Sequence, residues 1–182
     1  MTWGQSLAAN YTDGIVVLHR GRIVYERYFG VLKPQGQHIA MSVTKSLFGT
    51  LAADLVAHGV IDDRALVTRY VPELKDTAYG DATVRQVMDM TIGVRYSENY
   101  ADPKAEIWSH VRAGGILPRP PGYDGPRSFY AFLATLQKEG EHGTAFAYKT
   151  VNTDVLVLVI SRSTRASVGA NLQDRVWRKL GA

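Results

Sequence analysis

The sequence contains no cysteine, so disulfide bonds, thiol nucleophiles and thiolate metal ligands are all excluded. It also lacks any apolar run approaching the roughly 20 residues that a membrane-spanning helix needs. The first residues, MTWGQSLAANYTDG, show no basic segment followed by an apolar run, which is the mark of a signal peptide. From these absences we expect a cytoplasmic protein that has no membrane partner.

Charge is moderate and of both signs. The 182 residues include 21 Lys and Arg against 17 Asp and Glu, a formal net charge of +4. The basic residues are scattered along the chain, so no nucleic-acid partner is expected. Hydrophobic residues make up 46% and charged residues 21%, which is typical of a globular domain with its own core. The histidines show no spacing typical of metal ligands, so neither a metal nor another cofactor is expected.

The apolar pattern predicts strands first and mostly helices afterwards. Ile15–His19 and Arg22–Tyr28 are rich in β-branched and aromatic residues and flank an Arg-Gly dipeptide, as in a β-hairpin. Apolar residues of the stretch IAMSVTKSLFGTLAADLVAHG, residues 39–59, recur at helical spacing up to a terminal glycine. An isolated hairpin is only marginally stable, and nothing later in the chain clearly extends it. The sheet is therefore expected to be incomplete in this chain.

The remaining sequence predicts three further helices and a long loop. The helices are ATVRQVMDM, SFYAFLATLQKEG ending at Gly140, and the amphipathic SVGANLQDRVWRKLGA; the apolar run after FAYKT is predicted as a helix or a strand. Residues 96–127 are rich in Gly, Pro and Tyr, which predicts a loop region of the kind that often carries function. The triplet His142-Gly143-Thr144 is predicted to be a turn leading into FAYKT.

Ser42 and Lys45 form a candidate chemical pair. Residues i and i+3 share one face of a helix, so Lys45 is expected beside Ser42 in the first turn. A serine hydroxyl becomes nucleophilic when a base takes its proton, and a lysine can be that base. The positive end of the helix dipole favours an anionic oxygen at this position. The alternative is structural: Ser42 caps the helix and Lys45 is a solvated surface lysine.

Several ordered motifs resemble the serine β-lactamase-like family, the group of class C β-lactamases, penicillin-binding proteins and esterases. The helix that opens on Ser42-Val43-Thr44-Lys45 is followed by Gly59-Val60-Ile61-Asp62-Asp63, Tyr70-Val71-Pro72-Glu73 and Thr83-Val84-Arg85-Gln86-Val87. Within the group the sequence is most similar to the linear-amide hydrolases of nylon oligomers, in the segments YSENYADPKAE and FAYKTVNTDVLVLVI. The resemblance runs from about Tyr11 onward.

The resemblance implies a β-lactamase/transpeptidase-like α/β (α+β) fold. It implies one partial domain over residues 1–182, with N-terminal strands in 11–38 and a mainly helical part in 39–182. Family members run to about twice this length, so the chain is expected to correspond to an N-terminal half. The later half of such proteins completes the sheet and supplies a second donor to the oxyanion hole, whose loss typically costs about 10²–10³ in rate.

The resemblance also implies roles for further residues. Tyr148, in Phe146-Ala147-Tyr148, matches the tyrosine that relays protons beside the serine and lysine. Tyr100 matches a tyrosine that closes over substrate amides, and Glu98 is a candidate for the same pocket wall. Asn152 is a candidate for substrate binding. The familiar motif of the family is Tyr-x-Asn, but here it reads Tyr148-Lys149-Thr150, so the asparagine that positions the substrate amide is not at its usual place.

Three functions follow as hypotheses. The first is a serine hydrolase that cleaves linear amides, such as those of 6-aminohexanoate oligomers, or short esters through a Ser42 acyl-enzyme. The second is a truncated, non-catalytic fragment or a penicillin-recognising binding module, which could form a homo-oligomer through its unpaired sheet edge. The third is a nucleic-acid binder, which the scattered charge disfavours.

Overall fold

The computed structural model describes residues 1–181 and divides the chain into two compact units, Met1–Met41 and a second that begins at Ser42. Its elements, in chain order, are α1 (Trp3–Ala9), β1 (Gly14–His19), β2 (Arg22–Tyr28), α2 (Val43–Ala57), α3 (Val84–Met88), α4 (Glu106–Ala113), α5 (Phe129–Leu133), α6 (Thr150–Thr164), α7 (Val168–Leu172) and α8 (Arg178–Leu180). A π-helical turn, Gln173–Trp177, joins α7 to α8, and two 3₁₀ turns, Val67–Arg69 and Pro72–Leu74, lie between α2 and α3. None of the helices within these residues is both long and apolar enough to cross a membrane.

The first unit contains the predicted hairpin. β1 and β2 pair antiparallel, from Gly14 opposite Tyr28 to His19 opposite Arg22. The turn residues have positive φ, 51° at Arg20 and 75° at Gly21, as a type I′ turn requires. The helix α1 was not predicted from the sequence. It begins at a capping box, in which the Thr2 hydroxyl accepts the Gln5 N–H and the Gln5 side-chain oxygen accepts the Thr2 N–H.

The second unit is built around α6. This helix contacts α2, α3, α5 and α7, and Val151, Val155, Val159 and Ile160 on it are fully buried. α2 faces it with Leu51, Ala52 and Leu55, which are also fully buried. The apolar run after FAYKT is therefore a helix, and the predicted helices α2 and α3 are confirmed with it. The segment 168–180 is helical as predicted, apart from its π-helical turn.

The expectation of little regular structure over residues 96–127 was wrong in its centre. α4 lies there as an eight-residue helix whose Ile107, His110 and Ala113 are buried at a spacing of three. The Gly- and Pro-rich sequence on both sides conceals this short amphipathic pattern. The region thus has a rigid element from which loop residues on either side extend.

The helix predicted over SFYAFLATLQKEG is also shorter than expected, because it ends at Leu133. The next residues form tertiary hydrogen bonds instead of helical ones. The Leu136 carbonyl accepts the Ala78 N–H at 2.9 Å, and the Gln137 carbonyl accepts the Arg95 N–H at 2.9 Å. Pairing with distant backbone has overridden local helix propensity here.

Two glycines mark a close approach of backbones. A Cβ on Gly93 would lie 2.4 Å from the carbonyl oxygen of Gly140, a distance that real Cβ atoms do not adopt. The Glu139 N–H donates to the Gly93 carbonyl at 3.1 Å, so the two segments are hydrogen-bonded at this point. Gly93 is therefore needed because only glycine lets the chains approach this closely.

We predict opposite effects for two Gly→Ala substitutions. Gly93→Ala should lower the free energy of unfolding by about 1–3 kcal/mol, since the new methyl must displace backbone. Gly49→Ala, at an open position inside α2, should raise it by about 0.5–1 kcal/mol. Urea unfolding followed by far-UV circular dichroism measures both; a Gly93→Ala protein as stable as the parent would contradict the close approach.

Candidate active site

Ser42 occupies the N-cap position of α2, but its hydroxyl forms no capping hydrogen bond. Lys45 Nζ lies 2.9 Å from Ser42 Oγ instead and donates to it. The backbone supports this pairing, because the Lys45 N–H donates to the Ser42 carbonyl at 3.0 Å in the first turn. The Ser42 hydroxyl therefore forms a hydrogen bond with Lys45 and none with the backbone of α2.

Tyr148 lies beside this pair. Lys45 Nζ is 5.4 Å from the centroid of the Tyr148 ring, within the range of a cation–π contact. The Tyr148 side chain is 45% exposed, so its phenol is accessible to a ligand. The structure therefore brings together Ser42, Lys45 and Tyr148, the three residues proposed for catalysis from the sequence.

Tyr148 belongs to no helix or strand, and residues 90–98 hold the segment that carries it. The Ala147 N–H donates to the Met90 carbonyl at 2.9 Å, and the Gly143 N–H donates to the Thr91 carbonyl at 2.8 Å. Beyond the tyrosine, Lys149 Nζ donates to the Val94 carbonyl. Hydrogen bonds on both sides of Tyr148 therefore fix its backbone.

His142 strengthens the same attachment. Its Nδ1 accepts the Gly93 N–H at 2.9 Å, so the ring proton must lie on Nε2, which donates to Asp81 Oδ1 at 3.0 Å. The ring is 5% exposed. Hydrogen bonds from Lys138 and from His142 hold the pKa of the Asp81 carboxyl below its usual range. The triplet at 142–144 is a turn, as predicted, and its histidine joins two distant segments.

Glu98 connects the Tyr148 segment to the loop that carries Tyr100. Its Oε1 accepts the N–H of Thr150, the first residue of α6, where a carboxylate is also favoured by the helix dipole. Its Oε2 lies 3.5 Å from the Tyr100 hydroxyl, a long contact. Tyr100 is 63% exposed and free to meet a ligand. Glu98 therefore forms contacts within the protein, with Thr150 and Tyr100, and is not only a residue of the pocket wall.

Asn152 is not placed at the site. Its side chain is 1% exposed, and its Oδ1 accepts a hydrogen bond from the Tyr79 hydroxyl at 2.9 Å inside the core. Burial raises the pKa of Tyr79 well above its usual value, so the phenol remains a donor. The first turn of α6 directs position 152 into the core, toward Tyr79. In this position Asn152 stabilises the core through its hydrogen bond with Tyr79.

The sequence analysis also missed a buried polar cluster of Tyr96, His110 and Asp154. The Tyr96 hydroxyl lies 2.8 Å from His110 Nδ1, and the His110 ring stacks on Phe132 at 4.9 Å between centroids. His110 Nε2 is 2.7 Å from Asp154 Oδ2, close enough for an ion pair although not aligned as a hydrogen bond. The contact depends on α4, which the sequence pattern did not predict, because that helix carries His110 into the core. Within residues 1–181, no group of three or more His, Asp or Glu side chains converges on a possible metal site.

Comparison with known proteins identifies the class of this fold and site. The Beta-lactamase family model matches residues 7–182, and the chain belongs to that family. The fold is β-lactamase/transpeptidase-like, with mixed helices and strands and a two-stranded sheet in the residues described. The resemblance inferred from the motifs around Ser42 is thereby confirmed.

Two of the similar proteins are described as 6-aminohexanoate-dimer hydrolases. The chain is 39% identical to 6-aminohexanoate-dimer hydrolase of Paenarthrobacter ureafaciens over 98% of its own length and 45% of the relative's. A solved Bacillus anthracis protein described as a 6-aminohexanoate-dimer hydrolase superposes with a TM-score of 0.88 at 33% identity, over 97% of this chain and 46% of the other. An octameric penicillin-binding protein homologue from Pyrococcus abyssi, 18% identical with a TM-score of 0.74 over 98% of this chain and 41% of the other, shares the fold. The chain spans less than half the length of these proteins.

The contact between Glu98 and Tyr100 predicts a change in titration. Burial and then the Glu98 carboxylate raise the pKa of the Tyr100 phenol above its ordinary value, because both disfavour the phenolate. Glu98→Gln should therefore lower the pKa of Tyr100. NMR titration of protein labelled with ¹³Cζ-tyrosine measures this, and Tyr100→Phe assigns the signal. Glu139→Gln, in an exposed loop, is the control; an unchanged pKa in Glu98→Gln would contradict the contact.

Proposed function

We propose that this protein is a serine hydrolase that cleaves linear amide or ester bonds through an acyl-enzyme on Ser42. The observation that carries the proposal is the 2.9 Å contact between Lys45 Nζ and Ser42 Oγ, in a serine that does not cap its helix. Family membership and the relatives described as 6-aminohexanoate-dimer hydrolases support this class of substrate.

In the acylation step, Lys45 takes the proton of the Ser42 hydroxyl as Oγ attacks the carbonyl carbon of the substrate. The resulting oxyanion is stabilised by the Ser42 N–H at the positive end of α2. When the bond to the leaving amine or alcohol breaks, Tyr148 donates its phenolic proton to that group. Tyr148 then recovers a proton from the Lys45 ammonium, whose closeness to the ring also stabilises the transient phenolate.

Deacylation reverses the roles. Water attacks the acyl-enzyme carbonyl, its proton passes to the Lys45–Tyr148 pair, and the ester bond to Oγ breaks with return of a proton to Ser42. Products are the carboxylic acid and the free serine. The overall reaction consumes one water for each bond cleaved, and it needs no cofactor.

A second candidate is a non-catalytic module that binds amides or penicillin-like ligands without turnover. The chain spans less than half the length of its relatives, so both candidates are tested on this chain itself. Covalent labelling separates the two candidates.

We expect a fluorophosphonate to add once to the protein, on Ser42. Intact-mass spectrometry should show one adduct on the parent and none on Ser42→Ala, while Ser46→Ala, one turn further along the same helix, should label like the parent. Lys45→Ala should reduce the labelling rate by about 10²-fold or more, as expected for loss of a general base. A folded parent protein without an adduct would refute the hydrolase and leave the binding module.

Tyr148→Phe isolates the contribution of the phenol. The ring keeps its contact with Lys45, so the fold and the labelling of Ser42 should persist. Release of p-nitroaniline from a short acyl anilide should fall by about 10²–10⁴-fold, because the amine leaves without its proton donor. Hydrolysis of the p-nitrophenyl ester of the same acid should fall much less, since p-nitrophenolate leaves unprotonated. An equal loss for both substrates would contradict the relay.

A further inference from the structure

His142 forms a hydrogen bond that exists only while its ring is neutral. Its Nδ1 accepts the Gly93 N–H at 2.9 Å, and its Nε2–H donates to Asp81 Oδ1 at 3.0 Å. Since an N–H group can only donate, Nδ1 must keep its lone pair to form the first bond. A proton on Nδ1 would make both groups donors that face each other, and the bond to Gly93 would be lost.

The other histidines of residues 1–181 that form hydrogen bonds can gain a proton without this loss. The Tyr96 hydroxyl beside His110 Nδ1 can either donate or accept, so that ring can become charged and keep its partner. His38 and His58 face carbonyl and carboxylate oxygens, which accept hydrogen bonds from a charged ring. His142 therefore differs from them, because its protonation breaks a contact with the backbone.

Asp81 supplies the charge that favours this protonation. Hydrogen bonds from Lys138 and then from His142 hold the pKa of the Asp81 carboxyl below its usual range, so the carboxylate is still charged where a histidine titrates. An anion 3.0 Å from Nε2 stabilises an imidazolium. The groups that surrounding segments direct toward the ring or its turn are Asp81 before α3, the neutral Gln86 amide on α3, the Gly93 N–H, Lys149 at the Val94 carbonyl, and Lys138 and Glu141 from the segment of His142 itself.

The bond to Gly93 lies within the pairing that holds Tyr148 in place. Next to His142 and Tyr148 in the chain, the Gly143 and Ala147 N–H groups donate to residues 90–91 at 2.8 and 2.9 Å. The His142 ring is 5% exposed, so it cannot turn into solvent unless the two segments separate. A protonated ring that stays with Asp81 therefore pushes apart the segments whose pairing places Tyr148 beside Lys45.

We propose that His142 is a proton-sensitive positioning residue, whose neutral ring holds Tyr148 beside Lys45 and whose protonation releases it. This regulation rests on the proposed hydrolase function, in which Tyr148 donates a proton to the leaving amine. The competent form has the neutral ring, so amide cleavage is complete at higher pH and falls as the pH drops through the titration of His142.

The Gly93 amide reports on the bond without turnover. Residues 92–93 are the only Ile-Gly dipeptide of the sequence, so ¹³C-carbonyl isoleucine with ¹⁵N-glycine selects the Gly93 amide alone in NMR. We expect its proton signal to move upfield as the pH falls from about 8 to about 5, the range in which histidines titrate. His142→Asn, whose side-chain oxygen can accept the same N–H but does not titrate, should abolish the shift, whereas His19→Asn, at an exposed position, should leave it unchanged.

Asp81→Asn tests the source of the charge. It keeps an oxygen near Nε2 and removes the anion, so the midpoint of the Gly93 titration should move to lower pH. The Asp81 side chain is 62% exposed, and its substitution therefore leaves the core packing unchanged. A midpoint that stays in place or rises would contradict the role of the carboxylate.

Activity shows whether the bond controls Tyr148. The rate of p-nitroaniline release from a short acyl anilide is divided by the rate for the p-nitrophenyl ester of the same acid, so titration of Lys45, which both reactions need, cancels. In the parent this ratio should fall by about tenfold for each pH unit below the Gly93 midpoint, as for loss of one titrating group. In His142→Asn it should be independent of pH.

The outcomes separate this proposal from the hydrolase itself. A Gly93 signal that does not titrate, or that titrates unchanged in His142→Asn, would overturn the switch. A ratio that is independent of pH in the parent while the Gly93 signal titrates would overturn the control of Tyr148. A protein that forms no Ser42 adduct, but whose Gly93 signal titrates with His142, would retain the switch as a property of the fold and refute the hydrolase.

Discussion

The hydrogen bonds between residues 90–98 and 137–150 are the constraint on which the candidate site depends. Tyr148 lies in irregular chain before α6, so no helix or sheet fixes its position. Its place beside Lys45 follows from the bonds that its neighbours form with Met90, Val94 and Glu98. The close approach of Gly93 to Gly140 allows this pairing to begin, and His142 secures it from the side. The position of Tyr148 in the candidate site is thus maintained by backbone contacts more than by packing of the tyrosine itself.

The Ser42–Lys45 pair could be predicted from the sequence because it is local. Once α2 is recognised from its apolar spacing, helical geometry places residues i and i+3 together. Tyr148 is different, since more than a hundred residues separate it from Lys45 and only the family resemblance connected them. No pattern in the sequence states that residues 90–98 and 137–150 pair, because backbone pairing between irregular segments leaves little trace in side-chain type.

The failures of sequence reasoning have related causes. α4 was missed because glycine and proline surround a helix of only eight residues. α5 was extended too far because backbone bonds to Ala78 and Arg95 take over where its propensity would continue it. Asn152 was assigned to the site because it lies two residues after Thr150, the third position of the Tyr148 motif, yet two residues along α6 rotate a side chain by about 200°, and Asn152 is buried against Tyr79. In each case a tertiary contact or a rotation decided the outcome, and neither can be derived from local composition.

The same contacts explain how charge is distributed around the site. Glu98 has its two oxygens directed to different segments, one to the start of α6 and one toward Tyr100, so the carboxylate couples the segment after Tyr148 to the loop that carries Tyr100. The Thr150 N–H is one of the first donors of α6 that no helical carbonyl can accept, so this bond fixes the backbone two residues after Tyr148. The same carboxylate disfavours a phenolate on Tyr100, because two negative charges would then lie close together. One side chain therefore sets both the position of the chain after Tyr148 and the charge state that Tyr100 favours.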